Sequence, residues 1–81
     1  MNAESSDIDA LSERIRRYLH EHPNAADTLE GVATWWLAGG AESEWLDNVR
    51  RAIDGLVTRG EASCRTLGDG TVIFERNKKR D

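Results

Sequence analysis

A single cysteine, Cys64, cannot close a disulfide within the chain, so a disulfide-stapled framework is excluded and a reducing cytoplasm is the expected compartment. A single proline, Pro23, leaves long stretches free to form helix on either side of it. Only five aromatic rings are present, three of them tryptophans. No run approaches the roughly 18 apolar residues of a membrane span. The opening MNAESSDIDA lacks the apolar stretch of a secretory signal, so neither a membrane anchor nor export is expected.

What is present fits one domain over 1–81, with an ordered core over about 7–76 and loose termini at 1–5 and 77–81. A chain of this length buries about 60 to 65% of its extended surface, so each large side chain matters. The net charge of −4 hides an asymmetry. Residues 1–47 hold ten acids against three bases, and residues 48–81 hold five acids against eight bases. A mixed, solvated surface accounts for this, and a basic end that touches an anion is the sharper reading.

Ile8, Leu11, Ile15, Tyr18 and Leu19 recur at helical steps, which predicts a first helix over about 7–21 with Ser5 or Ser6 as its cap. Pro23 ends it, and Asn24 begins a turn. Asp27 with Glu30 reads as a capping box for a short second helix stopped by Gly39 or Gly40. A third helix over about 43–59 presents Leu46, Val49, Ile53, Leu56 and Val57 to the core, and Gly60 terminates it. Beyond Gly60 the period shortens. EASCRTL and TVIFER read as two strands joined through Gly68-Asp69-Gly70, which makes one hairpin with Ala62, Cys64 and Thr66 on one face.

All three tryptophans fall within TWWLAGGAESEW. At about 100° per residue, Trp36 joins Leu29, Val32, Ala33 and Leu37 on the core side, and Trp35 points about 130° away. Trp45 sits on the edge of the third helix beside Val49 and Ala52 as a half-buried clamp. Trp35 is then the tryptophan free to meet a partner.

Three helices followed by LVTRGEASCRTLGDGTVIFERN, which carries a helix end, glycine, strand, glycine turn and strand, resemble the winged-helix family over about residues 8–76. The resemblance implies an α+β fold, a three-helix winged-helix domain with a C-terminal β-hairpin wing. It also implies a recognition role for the third helix and wing positions near Arg65, Gly68, Asp69, Gly70 and Arg76. The exposed face of that helix argues against sequence-specific DNA reading, because Glu44, Asp47, Asn48, Arg51, Asp54, Gly55 and Thr58 bring three acids and one base toward a wall of phosphates. DNA contact would fall to Arg50, Arg51, Arg65, Arg76, Lys78, Lys79 and Arg80, which position without reading bases. A charged rim that discourages edge aggregation is the plainer role for the wing and tail bases.

Catalytic signals are thin. His20 and His22 point about 200° apart on a regular helix, Cys64 has no Cys-x-x-Cys partner and is expected to be buried, and LGDGT lacks the lysine and following helix of a phosphate loop. The expectation is therefore a non-enzymatic adaptor or accessory protein with no cofactor, metal or small-molecule substrate. It would bind a protein more readily than DNA, through Trp35, Trp45, Glu44, Asp47, Asn48 and Arg51. A homodimer contact is the other use for Trp35.

Overall fold

The computed structural model describes residues 3–40 and 42–77, with residues 3–6 described by their backbone alone. The architecture is α+β, with three helical stretches and a three-stranded antiparallel sheet among the described residues. In chain order the elements are α1 (Ala3–Glu21), β1 (Ala26–Asp27), α2 (Leu29–Gly31) running directly into a π-helical segment (Val32–Trp36), α3 (Ser43–Thr58), β2 (Ala62–Thr66) and β3 (Val72–Arg76).

The helix α1 starts before Ser5 and Ser6, so both serines lie inside it and neither is its cap. Nothing between Ala3 and Glu21 breaks helical geometry, which lets the helix extend past them. Leu11, Ile15 and Leu19 are buried on its inner face and meet Val49, Ala52, Ile53 and Leu56 of α3. The largest fully enclosed core side chains are Ile15, Ile53, Leu56, Val32 and Val49. Leu46 and Val57 pack at the margin of this core.

Gly60 ends α3 as expected and shows why. Its φ of +79° is left-handed, its N–H donates to Val57 O at 3.0 Å, and Glu61 N–H donates to Leu56 O at 2.8 Å. This is a Schellman termination, which a residue with a Cβ adopts only under strain.

A third strand joins the expected hairpin. β1 pairs with β3 through Ala26↔Glu75 and Asp27↔Phe74, giving the order β1-β3-β2. The expected capping box does not form, because the helix begins at Leu29 and Asp27 stands one residue too early to be its cap. Thr28 becomes the cap instead, accepting from Gly31 N–H at 3.1 Å, while Asp27 Oδ1 accepts from Thr28 N–H at 2.8 Å. The β2-β3 turn closes with Leu67 N–H on Thr71 O at 2.7 Å and Gly70, at φ +92°, in the left-handed position. Asp69 Oδ1 accepts from Thr71 N–H, which holds its carboxyl below the usual range. No described helix is long and apolar enough to cross a membrane.

Candidate functional site

The segment from Asp27 to Asp47 contains all three tryptophans, five acids and no base. Its helix does not keep α geometry. From Val32 the bonds widen to i→i+5, with Leu37 N–H donating to Val32 O at 3.1 Å. Leu37 therefore stacks over Val32 in the place an α-helix would give to Trp36, and Val32, Ala33 and Leu37 are buried. Trp36 is displaced to the flank, which corrects the expectation that it is core. It is half-buried and stacks on Tyr18 of α1, centroids 4.8 Å apart and planes 11° from parallel, while Tyr18 also meets the His22 ring at 4.3 Å. Trp35 remains 75% exposed.

The chain leaves this helix through an unusual turn. Ala38 takes φ +56°, a left-handed conformation rarely adopted by a residue with a Cβ. Gly39 N–H then donates to Ala33 O at 2.9 Å, and the Trp45 Nε1–H donates to the same oxygen at 3.3 Å. Arg14 reaches across from α1 and donates from Nη2 to Leu37 O at 2.8 Å. The turn is thus pinned from α1 by Arg14 and from α3 by Trp45. A Cβ on Gly39 would lie 2.3 Å from Trp45 Nε1, so this glycine is required for close approach of the indole. Arg14, Leu37, Ala38, Gly39, Gly40, Glu42 and Trp45 line an open depression of about 590 Å³. Trp35 does not line it, so the structure separates the exposed tryptophan from the clamped one.

On α3, Glu44, Asp47 and Arg51 are exposed and Asn48 is half-buried. The two helical arginines are occupied by carboxylates one turn earlier or later, Arg51 with Asp47 at 3.0 Å and Arg50 with Asp54 at 3.8 Å. Arg65 pairs with Glu75 at 2.8 Å across the hairpin. Arg76 is exposed and has no ion pair among the described residues, and Lys78, Lys79 and Arg80 lie outside those residues. Glu30, Glu42 and Glu44 are likewise exposed without a cationic partner among the described residues.

Cys64 is exposed, against the expectation of a buried thiol. It does share a face with Ala62 and Phe74, but the helical layer covers only the base of the hairpin, and exposure rises along β2 from Ala62 onward. His20 and His22 are both exposed, and no group of three or more candidate ligands among the described residues is arranged to hold a metal ion. The sequence also gave no sign of the Arg14 and Gly39 contacts, since an arginine on a polar helix face and a glycine after a helix each have commoner uses. No protein-family model, curated protein or solved structure matches the chain.

Proposed function

We propose that the chain is a non-enzymatic, winged-helix-like interaction module of the cytoplasm that binds another protein through a surface anchored by Trp35. The observation that carries this reading is the 75% exposure of a tryptophan in a chain too small to waste apolar area. A large rigid ring buries much surface on binding at low entropic cost. Glu30, Glu42 and Glu44 are available to steer a basic partner. Trp45, held by Ala33 and Gly39, supports the surface and is not its anchor.

The test is Trp35→Ala. A partner recovered by affinity pulldown and then purified should lose affinity on the order of thirty-fold, about 2 kcal/mol, while the melting temperature stays nearly unchanged. Trp36→Ala, which empties the stack on Tyr18, should lower stability instead. Undiminished affinity in Trp35→Ala overturns the assignment.

A DNA-binding winged helix-turn-helix regulator is the second reading, favoured by the order of helices before hairpin and by Arg76, which has no ion pair among the described residues and is followed in sequence by Lys78, Lys79 and Arg80. With Arg50, Arg51 and Arg65 already paired, such binding should be weak, sequence-tolerant and steeply salt-dependent. Tight binding to one duplex at physiological salt, lost on a single base-pair change, would reverse the ranking.

A further inference from the structure

Three arginines from separate parts of the fold meet where α3 stops. Arg16 on α1 and Arg59 just past α3 share one carboxylate, with Arg16 Nε on Glu61 Oε1 and Arg59 Nε 3.5 Å from Glu61 Oε2. Both oxygens of Glu61 are then engaged. Arg76 arrives from β3, because the register sets it opposite Ala62 and Asn77 Nδ2 fastens the end of that strand to Gly60 O at 2.8 Å. Ala62 and Phe74, its neighbours on the same face, are buried, so Arg76 leaves the sheet on the side of the helices.

Two depressions adjoin Arg76. One, of about 120 Å³, is backed by the buried Leu19 and Leu56 and carries Arg16, His20, Glu61 and Arg76 around it. The other, of about 340 Å³, is lined by Arg59, Gly60, Glu61, Arg76 and Asn77. Glu61 and Arg76 belong to both. Three guanidiniums face two carboxylates, Glu61 and the Glu13 that takes Arg16 Nη1, so one positive charge is in excess among the described residues. It resides on Arg76, which is exposed and meets no carboxylate among them.

We infer that this cluster binds a single phosphoryl group, as inorganic phosphate or as the phosphate monoester of a small molecule. A planar carboxylate offers two oxygens, and at Glu61 two arginines already occupy them. A third arginine needs another acceptor. A tetrahedral dianion presents oxygens in more directions, so it can take the Arg76 fork and the Nη groups of Arg59 together with Arg16 Nη2 while both of those arginines keep Glu61. Arg76 supplies the neutralising charge, and the other two supply donors that Glu61 holds in place. The apolar backing of Leu19 and Leu56 lowers the local polarity and strengthens each of these contacts. None of these residues belongs to the tryptophan segment, so the inference is independent of the reading of Trp35.

NMR of the backbone amides and arginine Nε groups of the full chain, titrated with inorganic phosphate at constant ionic strength, should show saturable shifts at Arg76, Gly60 and Glu61 with a Kd on the order of 1 mM. Chloride and acetate should shift them far less. Glycerol phosphate distinguishes the source, since tighter binding than phosphate assigns a phosphorylated small molecule and equal or weaker binding assigns the free ion. Arg76→Gln should weaken phosphate binding about ten-fold or more, and Arg76→Lys should restore only part of it because an ammonium lacks the fork. Arg50→Gln, away from the cluster, should leave binding unchanged. Arg59→Gln changes an exposed side chain and should weaken binding several-fold, which keeps the test decisive if the Arg76 variants do not fold. Shifts that fail to saturate by about 50 mM phosphate, or wild-type affinity in both Arg76→Gln and Arg59→Gln, overturn the inference. So does a short DNA duplex that binds the cluster far more tightly than either phosphate, which would assign it to nucleic acid.

Discussion

Replacing Gly39 by alanine tests the junction that holds the tryptophan-rich segment. The added Cβ would stand 2.3 Å from Nε1, 2.4 Å from Cε2 and 2.6 Å from Cζ2 of Trp45. Ordinary contact begins at 3.4 Å, so the indole must withdraw by about 1 Å, which stretches its 3.3 Å bond to Ala33 O beyond hydrogen-bonding range. Overpacking of this kind costs about 1 to 3 kcal/mol, and the lost bond adds about 0.5 to 1.5 kcal/mol. The stiffer unfolded chain returns about 0.4 to 1 kcal/mol. A net destabilisation of about 0.5 to 4 kcal/mol follows, centred on about 2, which lowers the Tm of a domain this size by about 4 to 8 °C per kcal/mol. Urea denaturation followed by circular dichroism reads the loss, and the tryptophan emission should shift to the red as Trp45 moves toward water. Gly40→Ala is the control, since a Cβ there meets nothing within 4 Å and should leave stability unchanged or slightly higher. Equal stability of the two variants would mean that Trp45 is not seated on Gly39.

Ile53→Ala should lose about 2 to 4 kcal/mol by opening a cavity at a fully buried site, and Glu44→Ala on the exposed face should change urea stability by less than about 0.5 kcal/mol. Ala38→Gly should stabilise by about 0.5 to 1 kcal/mol, because relief of the left-handed strain outweighs the added freedom of the unfolded chain, and thermal melts would expose a loss instead. The Arg16 guanidinium bonds to Glu61 and holds that carboxyl below its ordinary value of 4.5. Its contribution is therefore complete above about pH 4.5 and fades as the pH falls through the lowered folded value. Both side chains are more than a third exposed, which limits the effect to less than about 1 kcal/mol. Glu61→Gln should lower stability slightly at pH 7, with the deficit shrinking steadily as the pH falls below 4.5 and through the lowered folded value, and a deficit that does not shrink in acid would assign the loss to something other than the ion pair.

The sequence made most of the helical scaffold legible because its signals are local. The spacing of Leu46, Val49, Ile53 and Leu56, with Gly60 after them, places α3 within a residue of its observed end. Period-two alternation put Ala62, Cys64 and Thr66 on one face of β2, and the unbroken register with β3 keeps them there, but alternation cannot say where the covering helices stop, and Cys64 lies beyond them. β1 was illegible for a different reason. Two residues carry no periodicity, and Ala26 and Asp27 become a strand only because Glu75 and Phe74 arrive beside them from the far end of the chain. The π-helical widening is equally hidden, since it arises from how Val32, Ala33 and Leu37 fill the core and from the hold of Arg14 and Trp45 on the following turn. Rotation at α-helical pitch still located Trp35 outside, because that residue is far from the core under either geometry, but misplaced Trp36, which sat near the boundary.

The pairing of charges bears more on function than their number. Counted along the chain, the C-terminal 34 residues are basic, but in three dimensions Arg50, Arg51, Arg59 and Arg65 each meet a carboxylate. An arginine so engaged must give up its partner before it can neutralise a phosphate, so each pair subtracts from nucleic-acid affinity twice, once through the lost contact and once through the released acid. The acids of the tryptophan segment have the opposite standing. Glu30, Glu42 and Glu44 have no cation to release among the described residues, and they lie in the same stretch of sequence as the exposed indole of Trp35. A surface that presents unneutralised carboxylates and an exposed aromatic is prepared for a cationic side chain, which can bond to the first and stack on the second. On the proposed protein-binding reading, the partner to test at Trp35 is a protein segment rich in lysine or arginine, because unneutralised carboxylates in this stretch would repel the backbone of a nucleic acid.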